Sequence, residues 1–135
     1  PTSGVRKSDV VEAKVTLPAI AANMQATRAQ QQLHPLQTHP LLDQIAREQI
    51  IHLPDTLPQH GIDRVGAAMT QALNGRSDHD LRAMQLSAQI VFNATDYRIP
   101  DAVREPATRF YGLAAAPARD EQGRPRLKVL AIFGQ

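Results

Sequence analysis

The chain has 135 residues, a length that suits one domain and allows most of its apolar surface to be buried without a metal or a disulfide. Cysteine is absent, which excludes disulfides, thiolate zinc sites and cysteine nucleophiles. The formal net charge is only +2, and the two tyrosines and three phenylalanines never alternate with basic runs, so we expect no nucleic-acid partner.

No apolar run approaches the roughly 20 residues of a membrane span, and the chain as given is expected to be soluble. It starts at Pro1 without a methionine, and we expect an upstream segment that could carry an export signal or a membrane anchor. Lysine occurs at three positions only, arginine supplies the other basic residues and alanine is frequent. We interpret this composition as that of a GC-rich bacterial gene.

The N-terminal part is predicted to contain a tail, a short strand and one helix. Residues 1–9 are polar and aperiodic, which predicts a flexible tail. Valines recur from Val10 to Val15 and favour a short strand. Pro18 suits the first turn of a helix that ends near Gln32. The apolar stripe of this helix consists of Leu17, Ile20, Ala21 and Met24.

A second helix is predicted from Pro40 to Leu53, after a connection bracketed by His34-Pro35 and His39-Pro40. Its buried stripe consists of Leu42, Ile45, Ala46 and Leu53. Gln49 falls on the same stripe, so its amide is predicted to be buried or to face a cleft. It either hydrogen-bonds buried backbone, which avoids a cost of about 1 to 3 kcal/mol for an unsatisfied amide, or faces a pocket.

Two further helices are predicted in the middle of the chain. After a loop with Pro54 and Pro58, a third amphipathic helix should run from Ile62 to Leu73, and Asn74-Gly75 should end it. A fourth helix should follow the capping-box spacing of Ser77 and Asp80. Its apolar residues on two sides indicate a buried helix, and they are Leu81, Met84, Leu86, Ala88, Ile90 and Val91.

The chain is predicted to close with a β-hairpin. The segment from Asn93 to Pro106 contains two prolines and should be an ordered, irregular connection. Strands from Phe110 to Ala116 and from Leu127 to Phe133 then flank a polar, glycine-containing loop at residues 119–125.

Two stretches resemble bacterial CAP domains, the cysteine-rich secretory, antigen 5 and pathogenesis-related group, also called SCP-like. The first is RAQQQLHPLQTHPLLDQIAREQ, in which Arg28, Pro35-Leu36, Pro40, Leu42 and Ala46 match the family in order and spacing. The second is PATRFYGLAAAPARDEQGRPRLKVLAIFGQ, in which Gly112, Gly123, Phe133 and Gly134 carry the match.

The resemblance implies an α+β fold, a CAP-like α-β-α sandwich with about four helices around a small antiparallel sheet that ends in the C-terminal hairpin. Residues 10–135 would form this single domain after the tail. The family's metal cavity, however, lacks its usual residues here. Gln49 stands where the family has a histidine, Ala67 would replace a glutamate, and Tyr97-Arg98-Ile99-Pro100 occupies the region of the second histidine.

Ordinary surface roles compete with each catalytic interpretation of the polar residues. His34, His39, His60 and His79 lie beside prolines, a glycine or a helix cap and are typical of solvated turns. Glu48 and His52 are four residues apart, which suits either a two-ligand metal site or an exposed pair. Ser77-Asp78-His79 cannot form a triad because consecutive residues lack the relay geometry.

We therefore expect no catalytic residue, no metal ligand and no cofactor. Candidate cleft, ligand or partner contacts are Gln49, His52, Glu48, Tyr97, Arg98, Arg109 and Tyr111. The first hypothesis is a non-enzymatic binding or interaction module in the periplasm, in the envelope or outside the cell, which takes a protein partner or an apolar ligand. The alternatives are a metal-assisted hydrolase that uses histidines, and a structural subunit of an envelope or secretion assembly.

Overall fold

The computed structural model describes residues 2–53, 59–74, 81 and 83–135. Its helices are α1 (Thr2–Gln30), α2 (Pro40–Gln49) and α3 (Gln59–Asn74), and its strands are β1 (Gln37–Thr38), β2 (Met84–Val91), β3 (Phe110–Arg119) and β4 (Pro125–Gly134). Short 3₁₀ turns lie at Ile50–His52, Ala94–Asp96 and Asp101–Arg104. The protein is thus α+β, and no helix among the described residues is long and apolar enough to cross a membrane.

The four strands form one mixed sheet in the order β1-β3-β4-β2. The central pair β3 and β4 is the predicted hairpin, confirmed with Phe110 opposite Gly134 and Arg119 opposite Pro125. Strand β2 also pairs antiparallel with β4, whereas the two-residue β1 pairs parallel with β3. The sheet is therefore mixed, and the prediction of an antiparallel sheet is wrong at β1.

Alternate residues of β4 separate two hydrophobic clusters on opposite faces of the sheet. Leu130 and Ile132 pack with the α2 residues Leu42, Ile45 and Ala46. Val129, Ala131 and Phe133 pack on the other face with Ile20 and Met24 of α1 and with Val103. Helices thus cover both faces, and the stripe predicted for α2 is buried.

Helix α2 lies directly against the backbone of β3. A Cβ added at Gly112 would come within 2.4 Å of the carbonyl carbon of Leu42 and within 2.5 Å of the amide nitrogen of Asp43. The amide of Leu113 donates to Asp43 Oδ1 at 3.2 Å. These contacts hold the start of β3 at a fixed position relative to α2.

The fourth predicted helix is wrong, because residues 84–91 form β2. Met84 and Ala88 are four residues apart, so they share a face in a helix and in a strand alike. Leu86 joins them in the cluster under α2, as an alternating strand requires. Eight residues of β2 pair with β4, and this pairing decides the conformation. The capping box at Ser77 and Asp80 lies outside the described residues.

The predicted strand from Val10 to Val15 is also wrong, because these residues lie within α1. The intervening Glu12, Ala13 and Lys14 are good helix formers, and a helix that already buries Ile20 and Met24 extends through them. Residues 2–9, predicted as a tail, likewise have helical backbone, and Pro18 lies inside the helix rather than in its first turn. The division into tail and single domain stays a prediction.

Candidate functional site

Arg28, in the last turn of α1, binds four backbone carbonyls from two later segments of the chain. Its Nε donates to the carbonyl of His34 at 2.8 Å, and Nη1 donates to those of Val103 at 3.2 Å and Glu105 at 2.7 Å. Nη2 donates to the carbonyl of Thr108 at 3.0 Å. The side chain is only 2% exposed, and desolvation by burial lowers its pKa. The positive charge of this buried guanidinium is thus stabilised by the dipoles of four carbonyl groups.

The chain after α1 is shaped to bring these carbonyls to Arg28. Gln32 adopts a left-handed conformation with φ of 58°, and the amide of Leu33 donates to the carbonyl of Arg28 at 2.9 Å. Further on, the Gln25 amide group bonds both backbone groups of Leu36, at 2.7 Å and 2.9 Å. This clamp fixes the connection, so that β1 begins in register with β3.

A cavity of about 480 Å³ opens beside Arg28, between the connection after α1, strand β1 and the segment that leads into β3. This volume lies within the usual range of roughly 300 to 1,000 Å³ for small-molecule sites. Its lining residues are Arg28, His34, Pro35, Gln37, Pro106, Thr108 and Arg109. We call this cavity the Arg28 cleft. Among the described residues, every titratable side chain that lines it is basic, so it favours a negatively charged occupant.

Arg109 projects from a backbone that the sheet fixes. Its amide donates to the carbonyl of Gly134 at 2.9 Å, and its carbonyl accepts from the amide of Gln37 at 2.9 Å. The exposed guanidinium lies 5.3 Å from the centroid of the Phe110 ring, a cation-π distance. Arg109 therefore presents an unburied cation at the cleft from a rigid base.

Three of the predicted contacts lie at the end of α2. Gln49 is the last residue of that helix and is half-buried, so its amide is less enclosed than the stripe predicted. Glu48 is exposed and accepts from Nε2 of Gln44 at 3.0 Å, and His52 is exposed in the following 3₁₀ turn. None of these three lines the Arg28 cleft.

The remaining predicted contacts lie elsewhere. Tyr97 is buried in the cluster under α1, and burial raises the pKa of its phenol. The nearby Ser87 hydroxyl acts in the opposite direction, but the pair lacks hydrogen-bond geometry, and the Tyr97 hydroxyl has no partner among the described residues. Tyr111 is half-buried, and burial followed by the Asp43 charge raises its pKa. Exposed Arg98 is held through its backbone by the Gln89 amide, at 2.7 Å and 2.9 Å.

The structure therefore brings only Arg109, of the seven predicted contacts, to the Arg28 cleft. Among the described residues, no three His, Asp or Glu side chains come close enough together to hold a metal ion. His39, predicted as a solvated turn residue, accepts from the amide of Leu41 through Nδ1 at 3.2 Å and so caps α2.

Sequence reasoning missed Arg28, His34, Gln37 and Thr108 as cleft residues. One signal was available: Arg28 follows Ile20 and Met24 at intervals of four, which places it on the buried stripe of α1. The other three gave no signal, since Thr108 becomes a neighbour of Arg28 only across 80 residues of sequence.

Comparisons of the chain with protein-family models, with curated proteins and with solved structures find no match.

Proposed function

We propose that the protein is a non-catalytic binding module with a degenerate CAP-like α-β-α sandwich, and that the Arg28 cleft is its ligand site. The observation that carries the proposal is the cleft itself, a cavity of about 480 Å³ with a buried guanidinium, polar backbone and two prolines in its wall. Convergent polar groups in a concave site of this size are typical of ligand binding.

The CAP-like assignment draws support from the residues that carry the resemblance. Leu36, Leu42 and Ala46 are buried, and α2 begins at Pro40. Gly112 and Gly134 face α2 in places where a Cβ would come within 2.4 Å of the Leu42 backbone and within 2.7 Å of Leu81 Cδ2. Helices on both faces of the sheet suit a sandwich.

The non-catalytic assignment draws support from the family's site positions. Gln49 supplies a neutral amide and Ala67, which is exposed on α3, supplies a methyl group. Neither side chain titrates, so neither can act as a general acid or base or hold a metal as the matching histidine and glutamate would.

A fragment titration followed by amide NMR tests the proposal. We expect a library of small charged, polar and apolar fragments to yield at least one that shifts the amide signals of residues 34–37 and 106–109 in a saturable way. Arg109→Gln should weaken that binding, whereas Arg47→Gln, an exposed arginine on α2, should leave it unchanged. A library that shifts none of the cleft signals contradicts the proposal.

A zinc titration by calorimetry tests the competing hydrolase hypothesis. We expect no saturable heat with the wild-type protein. Micromolar zinc binding that is abolished by His52→Ala or His34→Ala would overturn the non-catalytic assignment.

The module is further proposed to act outside the cytoplasm, in the periplasm or envelope or as a secreted protein, on the strength of the resemblance alone. Fractionation of bacteria that express the complete gene tests this location. Recovery of the protein with cytoplasmic markers contradicts it.

A further inference from the structure

We propose that the Arg28 cleft recognises a small organic oxyanion, whose carboxylate or phosphate group binds between Arg28 and Arg109. This inference rests on the proposed function and names the class of ligand. It follows from the hydrogen-bond donors that the cleft contains and from the lack of a carboxylate among its described lining residues.

Arg28 has one donor left for a ligand. A guanidinium carries five N–H groups, and four of them are used by the carbonyls of His34, Val103, Glu105 and Thr108. The fifth, on Nη2, has no acceptor among the described residues. Because the side chain is buried, a hydrogen bond from this group to an anion would form in a medium of low dielectric constant and be strengthened accordingly.

The charge of Arg28 also has no carboxylate partner in the part of the chain that the structure describes. The carbonyls around it supply dipoles but no negative charge, and none of the described residues that line the cleft carries a carboxylate. Arg109 adds a second cation at the same cavity, and the exposed His34 imidazole adds a polar ring. An oxyanion would neutralise this local excess, and two guanidinium groups can bind two of its oxygens at once.

The shape of the cleft sets the rest of the ligand. A volume of about 480 Å³ exceeds what a bare carboxylate or phosphate fills, since one water occupies about 30 Å³. Pro35 and Pro106, both exposed, supply apolar wall next to the basic groups. The expected ligand therefore combines one oxyanion with a small apolar body.

Titration with matched probes, followed by amide NMR, tests this inference. The probes are acetate, inorganic phosphate, benzoate, and the neutral benzamide, which has nearly the shape of benzoate. We expect benzoate, and at least one of acetate and phosphate, to shift the signals of residues 34–37 and 106–109 saturably. Benzamide should bind about tenfold more weakly or not at all, as expected when a charge-assisted hydrogen bond is lost. The relative shifts from acetate and phosphate distinguish a carboxylate site from a phosphate site.

Arg109→Gln should weaken benzoate binding about tenfold and remove the preference over benzamide, whereas the matched control Arg47→Gln should change neither. Arg109 is exposed, so its replacement tests the site without unfolding the protein. Equal binding of benzoate and benzamide, or equal losses in the two variants, overturns the oxyanion inference while the binding module survives. If none of the probes or library fragments shifts the cleft signals, both proposals fail.

Discussion

Single side chains carry much of the long-range organisation of this protein. Arg28 joins the end of α1 to carbonyls that follow it by 6, 75, 77 and 80 residues. Gln25 and Gln89 act in a similar way, since each amide bonds both the N–H and the carbonyl of one distant residue. Each of these side chains hydrogen-bonds backbone groups in an irregular segment that has no neighbouring strand to pair with. The backbone N–H and carbonyl groups of these segments are thereby satisfied.

Gly112 is where the two layers approach most closely, and replacing it tests that contact. We expect Gly112→Ala to lower the free energy of unfolding by about 2 to 3 kcal/mol, because the new Cβ would lie 2.4 Å from the Leu42 backbone. Urea denaturation measures the change.

Gly66, inside α3, provides the matched control. A Cβ there would meet Leu86 Cδ2 at 3.5 Å, an ordinary contact. Gly66→Ala should therefore raise stability by about 0.5 to 1 kcal/mol, the usual gain of alanine over glycine in a helix. Similar effects of the two substitutions contradict the packing described for Gly112.

The Tyr97 hydroxyl is buried without a partner among the described residues. An unsatisfied buried polar group costs about 1 to 3 kcal/mol, so Tyr97→Phe is expected to leave the free energy of unfolding unchanged or to raise it by about 1 kcal/mol. Thermal denaturation of the two proteins checks this. A clear loss of stability would mean that the hydroxyl bonds a group such as Ser87, and Ser87→Ala would then show the same loss.

At the scale of elements, the C-terminal hairpin is determined by local chemistry. Gly123 adopts a φ of 77° at the tip, a conformation that glycine enters without strain. Asp120 accepts from the amides of Gln122 at 3.0 Å and Arg124 at 2.8 Å, and its carboxylate also pairs with Arg126 at 3.2 Å. Turn residues within six positions of one another thus close β3 onto β4.

The pKa of Asp120 should reveal this turn. The hydrogen bond from the Arg124 amide and the nearby arginine charges lower the pKa of the carboxyl in the folded state. The ionised Asp120 carboxylate therefore makes its full contribution to stability above the pKa that the carboxyl has in the unfolded chain. This contribution is lost as the pH falls through the lower pKa of the folded state.

A carboxyl-detected NMR titration should show Asp120 titrating below the ordinary pKa of an aspartate. Asp120→Asn keeps an acceptor oxygen for the two amides but removes the charge, and it should flatten the acid dependence of the tip signals. A normal pKa for Asp120 contradicts the turn geometry.

The outer edge of β3 shows how one element protects another. The Tyr111 carbonyl accepts from the amide of His39 at 3.1 Å, and the Leu113 amide is bound by the Asp43 side chain. Like Tyr111 and Leu113, the odd-numbered residues of β3 direct their backbone polar groups to this edge rather than to β4. Pro117 is one of them, so its missing N–H removes no hydrogen bond to β4. Proline and a helix-borne carboxylate thereby discourage pairing with another strand.

At the scale of the whole molecule, one sheet serves two cores. Leu42 lies in the cluster under α2 and Phe133 in the cluster under α1, and both are almost completely buried. Leu42→Ala should lower stability by about 2 to 5 kcal/mol and Phe133→Ala by about 3 to 5 kcal/mol. Because β4 supplies both clusters, we expect each variant to unfold in one transition in urea.

Circular dichroism and the tyrosine signals should give coincident transitions in both variants. Exposed Arg47→Ala is the control and should change stability by less than about 0.5 kcal/mol. Two separate transitions in either core variant would mean that the faces fold independently.

Local patterns in the sequence determined α2, α3 and the C-terminal hairpin, because their periodicity, prolines and turn residues lie within a few positions of one another. They also determined the absence of disulfides and cysteine chemistry. They did not determine β2, since the spacing of Met84 and Ala88 satisfies a helix and a strand equally. Only pairing with β4, whose partner residues lie 36 to 50 positions further along the chain, distinguishes the two conformations.

The tertiary structure alone decided the Arg28 cleft. The stripe of α1 places Arg28 inward, but its acceptors come from the connection after α1 and from residues 103–108, which no local pattern joins. A cavity exists only where separate segments meet, and its charge is the sum of side chains that are far apart in the chain. The sequence could therefore indicate Arg109 as a contact residue, but only the fold shows which other residues form the basic cleft with it.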